Sequence, residues 1–292
     1  MSDQIPVAFT EKFRDDFIML SQQKGSRLEA TVRTAPDRLE GDAGYFDRIG
    51  ATEMVENTTR HGDTPLVNTK HSRRRITLRD FDWADLIDKK DRVRILGGGQ
   101  LPGRYLQNAL WAAGRKKDDL IIAAANGNAF SIDEDKAAST VALPAAQKVA
   151  VNASGLTLVK LITTKEILDG ADVDEDEERF MIVTSKQVSN LLNTTEVKSA
   201  DYNTVKALVE GRIETFMGFR FIRTERLTKD SSSNRLALAY VRSALGLAIG
   251  EEIMADIGPR RDKRNSIQVY VNMTMDATRI EDEKLVQIAC QE

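Results

Sequence analysis

The stretch that decides the fold runs from Pro102 to Asn126 and reads PGRYLQNALWAAGRKKDDLIIAAAN. Its apolar residues recur every three to four positions, which places them on one face of an α-helix. Pro102 suits the first turn of a helix, and Asn126-Gly127 suits its end. The pattern therefore predicts a helix over 102–126, about 35 Å long at about 1.5 Å per residue.

Outside this helix, the chain alternates short strand and helix patterns without a regular strand-helix-strand rhythm. Strands are predicted at 141–143, 180–183, 219–222, 236–241, 267–275 and 285–289. Helices are predicted at 11–20, from Ser154 to a Gly170 cap, from a Ser185 cap through Leu191, at 203–210 and at 245–256. The order of elements favours an α+β fold over a doubly wound parallel sheet.

The first 95 residues have the character of extensions that do not fold alone. Residues 1–50 show no pattern of a free-standing domain, and 51–95 resemble a long two-stranded β-arm with little apolar mass. A bare hairpin is marginally stable in water, so the arm requires another surface. The alternation of apolar residues slips between Leu78 and Phe81, which predicts a bulge or a strand end there.

Composition excludes several classes of protein. The chain has 292 residues, of which 41% are hydrophobic and 30% charged, values typical of a soluble globular protein. A net charge of −3 argues against a dedicated nucleic-acid binder. One cysteine, Cys290, and two histidines leave no disulfide framework and argue against a zinc or iron site. No secretory signal or membrane-spanning stretch is visible, so we expect the protein to stay in the cytoplasm.

No sequence motif for a catalytic or ligand-binding site is complete. Gly97-Gly-Gly-Gln-Leu-Pro-Gly103 opens a helix as a phosphate loop would, but it matches neither nucleotide-binding spacing and favours a flexible elbow. Asp172-Val-Asp-Glu-Asp176 begins like a calcium loop but lacks the glycine and the final glutamate. It favours a solvated acidic linker, with weak cation binding as the alternative. No nucleophile elbow is present, so we expect no enzymatic site, no cofactor and no metal.

Two charge clusters supply the candidate contact residues. A basic cluster between residues 60 and 79 holds six Lys or Arg against one acid, and an acidic cluster between 166 and 178 holds eight carboxylates and no base. The candidates are Arg60, Lys70, Arg73, Arg74, Arg75 and Arg79, with Asp172, Asp174, Glu175, Asp176, Glu177 and Glu178. The basic cluster either docks on an acidic surface or only keeps an exposed strand edge from aggregating. The residues leave both interpretations open.

Three further segments carry a resemblance to a known family. They are 83–87 leading into the long helix that closes with GRKKDDLIIA at 114–123; FMIVTSKQV at 180–188; and YVRSALGLAI at 240–249 with the closing DATRIEDEKLV at 276–286. In this order they resemble the major capsid proteins of tailed bacteriophages, which share the Hong Kong ninety-seven type fold. The resemblance covers about residues 50–292.

The resemblance implies a domain plan and a structural role. The plan is an N-terminal arm at 1–50, an extended β-loop at 51–92, a peripheral domain at 93–178 and again at 257–292 with its spine helix at 102–126, and an axial domain at 179–256. The role is that of a subunit that self-assembles into pentamers and hexamers of an icosahedral shell around double-stranded DNA. The implied partners are further copies of the chain, a separate scaffolding protein, a portal protein and DNA bound without sequence specificity, but no membrane. The implied place is the virion capsid, assembled in the host cytoplasm.

The resemblance also bears on the charge clusters. In a shell of this family the β-arm lies over a neighbouring subunit, which makes the acidic cluster a candidate dock for the basic one. We expect Arg73→Glu, Arg74→Glu and Arg75→Glu together to leave a folded subunit that assembles poorly. Some relatives crosslink lysine to asparagine, and Lys70 lies in the right region, but no partner is identifiable and no crosslink is predicted.

Two alternatives stay open. The same fold builds encapsulin compartments, which enclose enzymes, and a soluble hydrolase with an unrecognised site belongs to a different class. A hydrolase predicts small oligomers with turnover, whereas a shell protein predicts very large particles. Some relatives also begin with a long scaffolding region, for which there is no room before the β-arm, so a separate scaffolding protein is expected.

Overall fold

The computed structural model describes residues 19–35, 38–58, 60, 62–88, 90, 101–133, 137–174, 176–193 and 215–292. The described helices are α1 (Leu101–Asn126), α2 (Leu158–Asp169) and α3 (Ser185–Leu192). The strands are β1 (Arg33–Thr34), β2 (Ala43–Ile49), β3 (His71–Thr77), β4 (Arg79–Ile87), β5 (Ala129–Ile132), β6 (Ala138–Val141), β7 (Lys148–Val149), β8 (Arg179–Val183), β9 (Thr215–Phe216), β10 (Phe219–Arg223), β11 (Arg235–Val241), β12 (Leu245–Arg260), β13 (Ser266–Arg279) and β14 (Leu285–Cys290). The helix predicted at 203–210, residues 11–18 of the helix predicted at 11–20, and the glycines at 97–99 lie outside the described residues.

The strands form three sheets. A long-strand sheet has the order β1-β12-β13-β4, a six-stranded sheet has the order β7-β14-β11-β8-β10-β9, and an arm sheet has the order β2-β3-β5-β6. Most pairs are antiparallel, but β8 and β10 run parallel and are joined through α3. The mixture of helices with largely antiparallel sheets confirms the α+β class.

Local sequence sets the ends of the helices. The Thr157 side chain accepts a hydrogen bond from Lys160 N at the start of α2, and Gly170 closes that helix. Before α3, the Thr184 side chain accepts from Gln187 N while the Gln187 side chain accepts from Thr184 N. This capping box fixes Thr184 as the N-cap, one residue before the predicted cap, Ser185.

The helix predicted at 245–256 is wrong, because this segment is strand β12. It pairs with β13 from Leu245 opposite Arg279 to Arg260 opposite Ser266, with irregularities between Ile249 and Met254. Residues 245–248 are buried on both faces of the sheet. Burial on both faces removes the alternation that signals a strand, so the leucines and alanines gave a false helix signal.

The predicted two-stranded arm is wider than expected. Its strand β3 pairs on one side with β2, which falls inside the predicted N-terminal arm, and on the other with β5, which pairs with β6. Strand β4 does not belong to the arm and pairs with β13 over nine residues. Leu78 separates β3 from β4, which agrees with the predicted strand end. The support that a bare hairpin needs comes from β5 and β6.

Helix α1 lies at the centre of the packing. One part of it joins the core against the six-stranded sheet through Ile121 and Ile122, and another packs Ala113 and Leu120 against Met273 of the long-strand sheet. Helix α2 covers the opposite face of the six-stranded sheet with Leu161 and Leu168. The helix predicted at 102–126 is confirmed as α1. Within the described part of the chain, no helix is long and apolar enough to cross a bilayer.

Candidate inter-subunit surfaces

A segment that we call the N-terminal strap, residues 22–29, crosses α1 and is held by one buried carboxylate. Asp118 is fully buried on the helix. It accepts hydrogen bonds from Ser26 Oγ at 2.6 Å, Arg27 N at 3.0 Å and Leu28 N at 3.1 Å. A buried charge is stable only when its lone pairs are satisfied. Asp118 therefore fixes the position of the strap on the helix.

The crossing point requires a glycine. A Cβ at Gly114 would lie 2.7 Å from Ser26 N and 2.8 Å from Gly25 Cα, closer than real Cβ atoms approach. Beside this point, Arg115 donates to the Gln22 side chain at 2.7 Å, and Lys117 pairs with Glu29 at 2.6 Å. The GRKKD motif of α1 is thus a binding site for the strap, which explains how an extension without its own core is held.

We expect Asp118→Ala to loosen the strap and destabilise the chain. The substitution leaves the buried Leu28 N–H, the part-buried Arg27 N–H and the Ser26 hydroxyl without this acceptor. An unsatisfied buried group costs about 1–3 kcal/mol. Urea unfolding should show the loss, and limited proteolysis should cut residues 22–29 faster. Asp119→Ala is the control, because Asp119 pairs with the partly exposed Arg226 at the surface. Equal proteolysis of the two variants would contradict the role of Asp118.

The root of the arm is anchored by a buried arginine. Arg74 on β3 is 2% exposed, and it donates to Asp282 Oδ2 at 2.5 Å and to the Ile280 carbonyl at 3.3 Å. Burial lowers the pKa of Arg74, and the nearby Asp282 carboxylate opposes that shift. The arm sheet is therefore tied to the turn between β13 and β14.

The same aspartate serves a second buried arginine. Arg279 is fully buried and donates to Asp282 Oδ1, to Gly127 O at 2.7 Å and to Val141 O at 2.9 Å. The carbonyl of Gly127 directly follows α1, where a cation is favourable. Asp282 thus joins the arm, the end of α1 and the β13–β14 turn.

The other basic candidates lie at the surface and have mixed roles. Arg73 pairs with Asp47 at 2.7 Å, and Arg79 pairs with Asp276 at 2.6 Å. Arg75 lies over the Phe130 ring, 5.7 Å from its centroid. Arg60 and Lys70 are exposed and pair with no carboxylate in the described residues. Arg74, unlike these residues, is buried and therefore unavailable to a neighbouring copy. This corrects the expectation that Arg73, Arg74 and Arg75 can all be replaced by glutamate without harm to the fold.

The acidic cluster is partly neutralised within its own chain. Ion pairs and hydrogen bonds join Asp169 to Arg179, Glu177 to Ser243 and Lys284, and Glu178 to Arg220. Asp172, Asp174 and Asp176 are exposed, and Glu175 lies outside the described residues. The structure does not bring the acidic and basic clusters together within one subunit, since no described ion pair connects them. A contact between the two clusters therefore requires two copies of the chain.

Apolar residues on the arm were missed by reasoning from charge. The segment that joins β2 to β3, residues 50–70, carries Met54, Val55, Leu66 and Val67, and its described residues, all but 59 and 61, form no helix or strand. Met54 is fully exposed and Leu66 is 95% exposed. Met54 and Val55 are neighbours along the chain, as are Leu66 and Val67, and exposed apolar residues in such groups are candidates for an interaction surface. The sequence pattern that could have revealed them is the two apolar pairs, Met54-Val55 and Leu66-Val67, in an otherwise polar stretch.

Comparison with known proteins identifies the family to which this chain belongs. The family model described as phage capsid protein matches residues 5–292. The chain belongs to the phage capsid protein family. No curated protein gives a significant match.

Solved capsid structures share the fold of this capsid protein. The capsid structure of the cyanophage P-SCSP1u has a TM-score of 0.73 at 13% identity and covers 97% of this chain and 93% of its own. The capsid of Ralstonia phage GP4 has a TM-score of 0.70 at 13% identity, with 97% and 95% covered. The structure titled Mycobacterium phage Che8 has a TM-score of 0.68 at 14% identity, with 96% and 97% covered. The Hong Kong ninety-seven type fold is confirmed.

Family membership also settles the class of function. A phage capsid protein is a structural, non-enzymatic subunit of a homo-oligomeric shell and belongs to the virion. A soluble hydrolase and an encapsulin compartment are not favoured. The arm and the charged clusters are thus candidate contacts between copies of one chain rather than parts of a catalytic centre, whereas the strap is bound to its own helix α1.

Proposed function

We propose that this capsid protein assembles into pentamers and hexamers of an icosahedral shell that encloses double-stranded DNA without reading its sequence. The observation that carries the proposal is the arm, which exposes Met54 and Leu66 to water in a single copy. Such an arm is favourable only when another copy covers it. The family match and the shared capsid fold support the shell as the place where this happens.

The domain plan is part of the proposal. We assign the N-terminal arm to 1–50, the extended β-loop to 51–92, the peripheral domain to 93–178 and 257–292, and the axial domain to 179–256. Helix α1 and strand β13 belong to the peripheral domain in this plan, and β8, β10 and β11 belong to the axial domain. The pairing of β2 with β3 extends the β-loop back to Ala43, into the range assigned to the N-terminal arm. Strand β4, within the range assigned to the β-loop, pairs instead with β13 of the peripheral domain.

The charge contact is retained in a narrower form. We propose that Arg60, Lys70, Arg73 and Arg75 of one copy face Asp172, Asp174 and Asp176 of another, while Arg79 stays with its own Asp276. Exposed ion pairs contribute only about 0–1 kcal/mol each, but every subunit of a shell repeats them. Salt should weaken the contact, because the Debye length falls from about 10 Å at 0.1 M to about 3 Å at 1 M.

Separate substitutions distinguish arginines that contact another copy from the arginine that anchors the arm to its own subunit. Arg73→Glu with Arg75→Glu should leave the subunit folded, because both side chains are exposed, and should lower particle yield several-fold. Arg74→Glu should destabilise the subunit itself by about 3–5 kcal/mol, since it places a buried acid beside Asp282. Unfolding curves and sucrose-gradient sedimentation separate the two effects. Normal particle yield and unchanged salt sensitivity in the Arg73/Arg75 variant would leave those arginines only the role of protecting a strand edge.

The remaining partners follow from the resemblance to tailed-phage capsid proteins. We propose a separate scaffolding protein, a portal protein and assembly in the host cytoplasm. Expression of the chain alone should then give fast-sedimenting particles of mixed size, visible by negative-stain electron microscopy. Uniform shells from the chain alone would contradict the need for a scaffold, and small discrete oligomers would contradict self-assembly.

A further inference from the structure

The long-strand sheet has one covered face and one partly covered face. On the covered face, Phe81 and Met273 pack with α1. On the opposite face, which we call the outer face, the side chains of β4 at Asp80, Asp82, Ala84 and Leu86 are exposed. At one end of this face, Phe46 of β2 covers β12 at Gly246. The exposed part lies between that end and the turn that joins β12 to β13.

The outer face is strongly acidic. Asp80, Asp82, Glu251 and Asp256 lie on it, because they occupy the register positions of Thr274, Asn272 and Tyr270 on the central strand β13. The hydrogen-bond donors to these carboxylates are neutral: Thr274 Oγ1 to Asp80 at 2.7 Å, Tyr270 Oη to Asp82 at 2.6 Å, and Asn272 Nδ2 to Glu251 at 2.9 Å. No described lysine or arginine pairs with these four acids.

The state of Tyr270 agrees with this excess of negative charge. Its pKa is raised, first by the hydrogen bond to Asp82, then by burial, and further by the charges of Asp82, Glu251 and Asp80. A cation close to these carboxylates would oppose that shift. The outer face therefore carries negative charge that a basic partner would neutralise.

The complementary surface lies at the end of the same sheet. The turn between β12 and β13, residues 261–265, carries Arg261, Lys263 and Arg264, all exposed. Arg264 and Asn265 have φ of 53° and 58°, which fixes a tight turn. Its one acid, Asp262, is paired with Arg260 at 2.9 Å. The three other cations pair with no carboxylate in the described chain.

One subunit cannot bring the two surfaces together. The strands pair without interruption from Met254 to Arg260, so the basic turn projects beyond the end of its own sheet. The acidic residues begin at Asp256, about 13 Å back along β12 at about 3.3 Å per residue, and extend away from the turn. A turn cannot fold back onto the face of the sheet that it terminates. The partner of each surface must come from another molecule.

We propose that the outer face of the long-strand sheet binds the basic 261–265 turn of a second copy of this chain. The contact rests on the proposed self-assembly, because every copy then carries both halves and each half finds its partner in a neighbour. A head-to-tail contact of this kind closes into a ring when its rotation fits. It names a receiving surface distinct from the acidic cluster at 166–178.

A groove on the outer face offers a seat for one guanidinium beside Asp256, because the charge of Arg260, which also lines the groove, is compensated by Asp262. It has a volume of about 310 Å³ and is lined by Asp256, Gly258, Pro259, Arg260, Gln268 and Tyr270. Gly258 leaves the floor open, since a Cβ there would meet only the Asp256 carboxylate at 4.0 Å. A carboxylate at the wall of a groove suits a two-pronged hydrogen bond from arginine. Arg261 or Arg264 of the second copy fills this seat.

Charge reversal tests the contact. Arg261→Glu, Lys263→Glu and Arg264→Glu reverse the turn; Asp80→Lys, Asp82→Lys and Asp256→Lys reverse the face. Each triple variant should lose at least 10-fold in fast-sedimenting particles while keeping the wild-type circular dichroism and melting temperature. The variant with all six changes should recover at least half of the wild-type yield. Lys165→Glu with Lys186→Glu, exposed cations away from both surfaces, is the matched control and should assemble normally.

Every other outcome overturns the proposal. Normal assembly of either triple variant removes one half of the contact, and failure of the six-fold variant to recover shows that the halves do not meet. Recovery of the reversed face by Arg60→Glu with Lys70→Glu, instead of by the turn, assigns the outer face to the arm. A wild-type chain that forms no particles rejects the proposed self-assembly, a failure visible before any variant is compared.

Discussion

Replacing Asp282 with alanine is expected to destabilise the folded chain by about 3–5 kcal/mol, the loss typical of a buried ion pair deprived of one partner. The Asp282 carboxylate accepts from Arg74 and Arg279, of which 2% and 0% are exposed. Without it, two buried guanidinium groups face each other with no counter-charge. Urea unfolding of the unassembled chain, followed by tryptophan fluorescence, measures the difference.

Asp47→Ala is the matched control for this prediction. Its partner Arg73 lies on the same strand as Arg74, but both side chains of that pair are more than half exposed. The expected loss is therefore at most about 1 kcal/mol. If Asp282→Ala loses no more stability than Asp47→Ala, the arm is not anchored by this carboxylate. Faster proteolysis within 43–77 in the Asp282 variant alone would support the anchor.

Met54→Asp together with Leu66→Asp is expected to abolish assembly while leaving the subunit folded. Both side chains are in water in a single copy, so neither supports the fold of its own chain. In a shell, each would place a charge in an apolar contact, which is unfavourable unless the charge is paired. We expect at least a 10-fold loss of fast-sedimenting particles, with an unchanged melting temperature.

The control for the arm variant is Thr64→Asp, an exposed polar position of the same segment. It adds charge to the arm without removing an apolar side chain, so particle yield should stay within about two-fold of wild type. Equal loss of particles in both variants would mean that charge on the arm, and not apolar contact, controls assembly. Normal yield in the Met54/Leu66 variant would remove the apolar arm from the account.

Sequence predicts well the elements with a regular period, and also the fully buried strand β8, in which Phe180, Ile182 and Val183 favour a strand. Helix α1 and strand β13 each present a regular period to a single core, and both lie where their patterns place them. Strand β12 starts in a region buried on both faces, where period is lost and leucine and alanine mimic a helix. Pairing with β13 over the length of β12 then decides the conformation, and that pairing is invisible in the local sequence.

The candidate contacts divide in the same way. Charge clusters are visible in the sequence. Which of Arg73, Arg74 and Arg75 is buried, however, depends on the face of strand β3 on which each side chain lies. Alternation along β3 places Arg74 on the face of buried Ile76, a signal that period alone could have supplied. The partners of Arg74 could not have been found, because Asp282 lies more than 200 positions away. The role of Asp118 could likewise not be predicted. In the sequence it is one acid among charged neighbours, and its partners lie in the distant strap.

The central claim is that the arm of each copy reaches across another copy to close a shell. Cryo-electron microscopy of the virion capsid that contains this chain tests it most directly. The account predicts an icosahedral shell in which the segment 50–70 of each subunit lies over a neighbouring subunit, with Met54 and Leu66 covered by it. A shell in which every arm contacts only its own subunit, with these two side chains in solvent, would contradict the account.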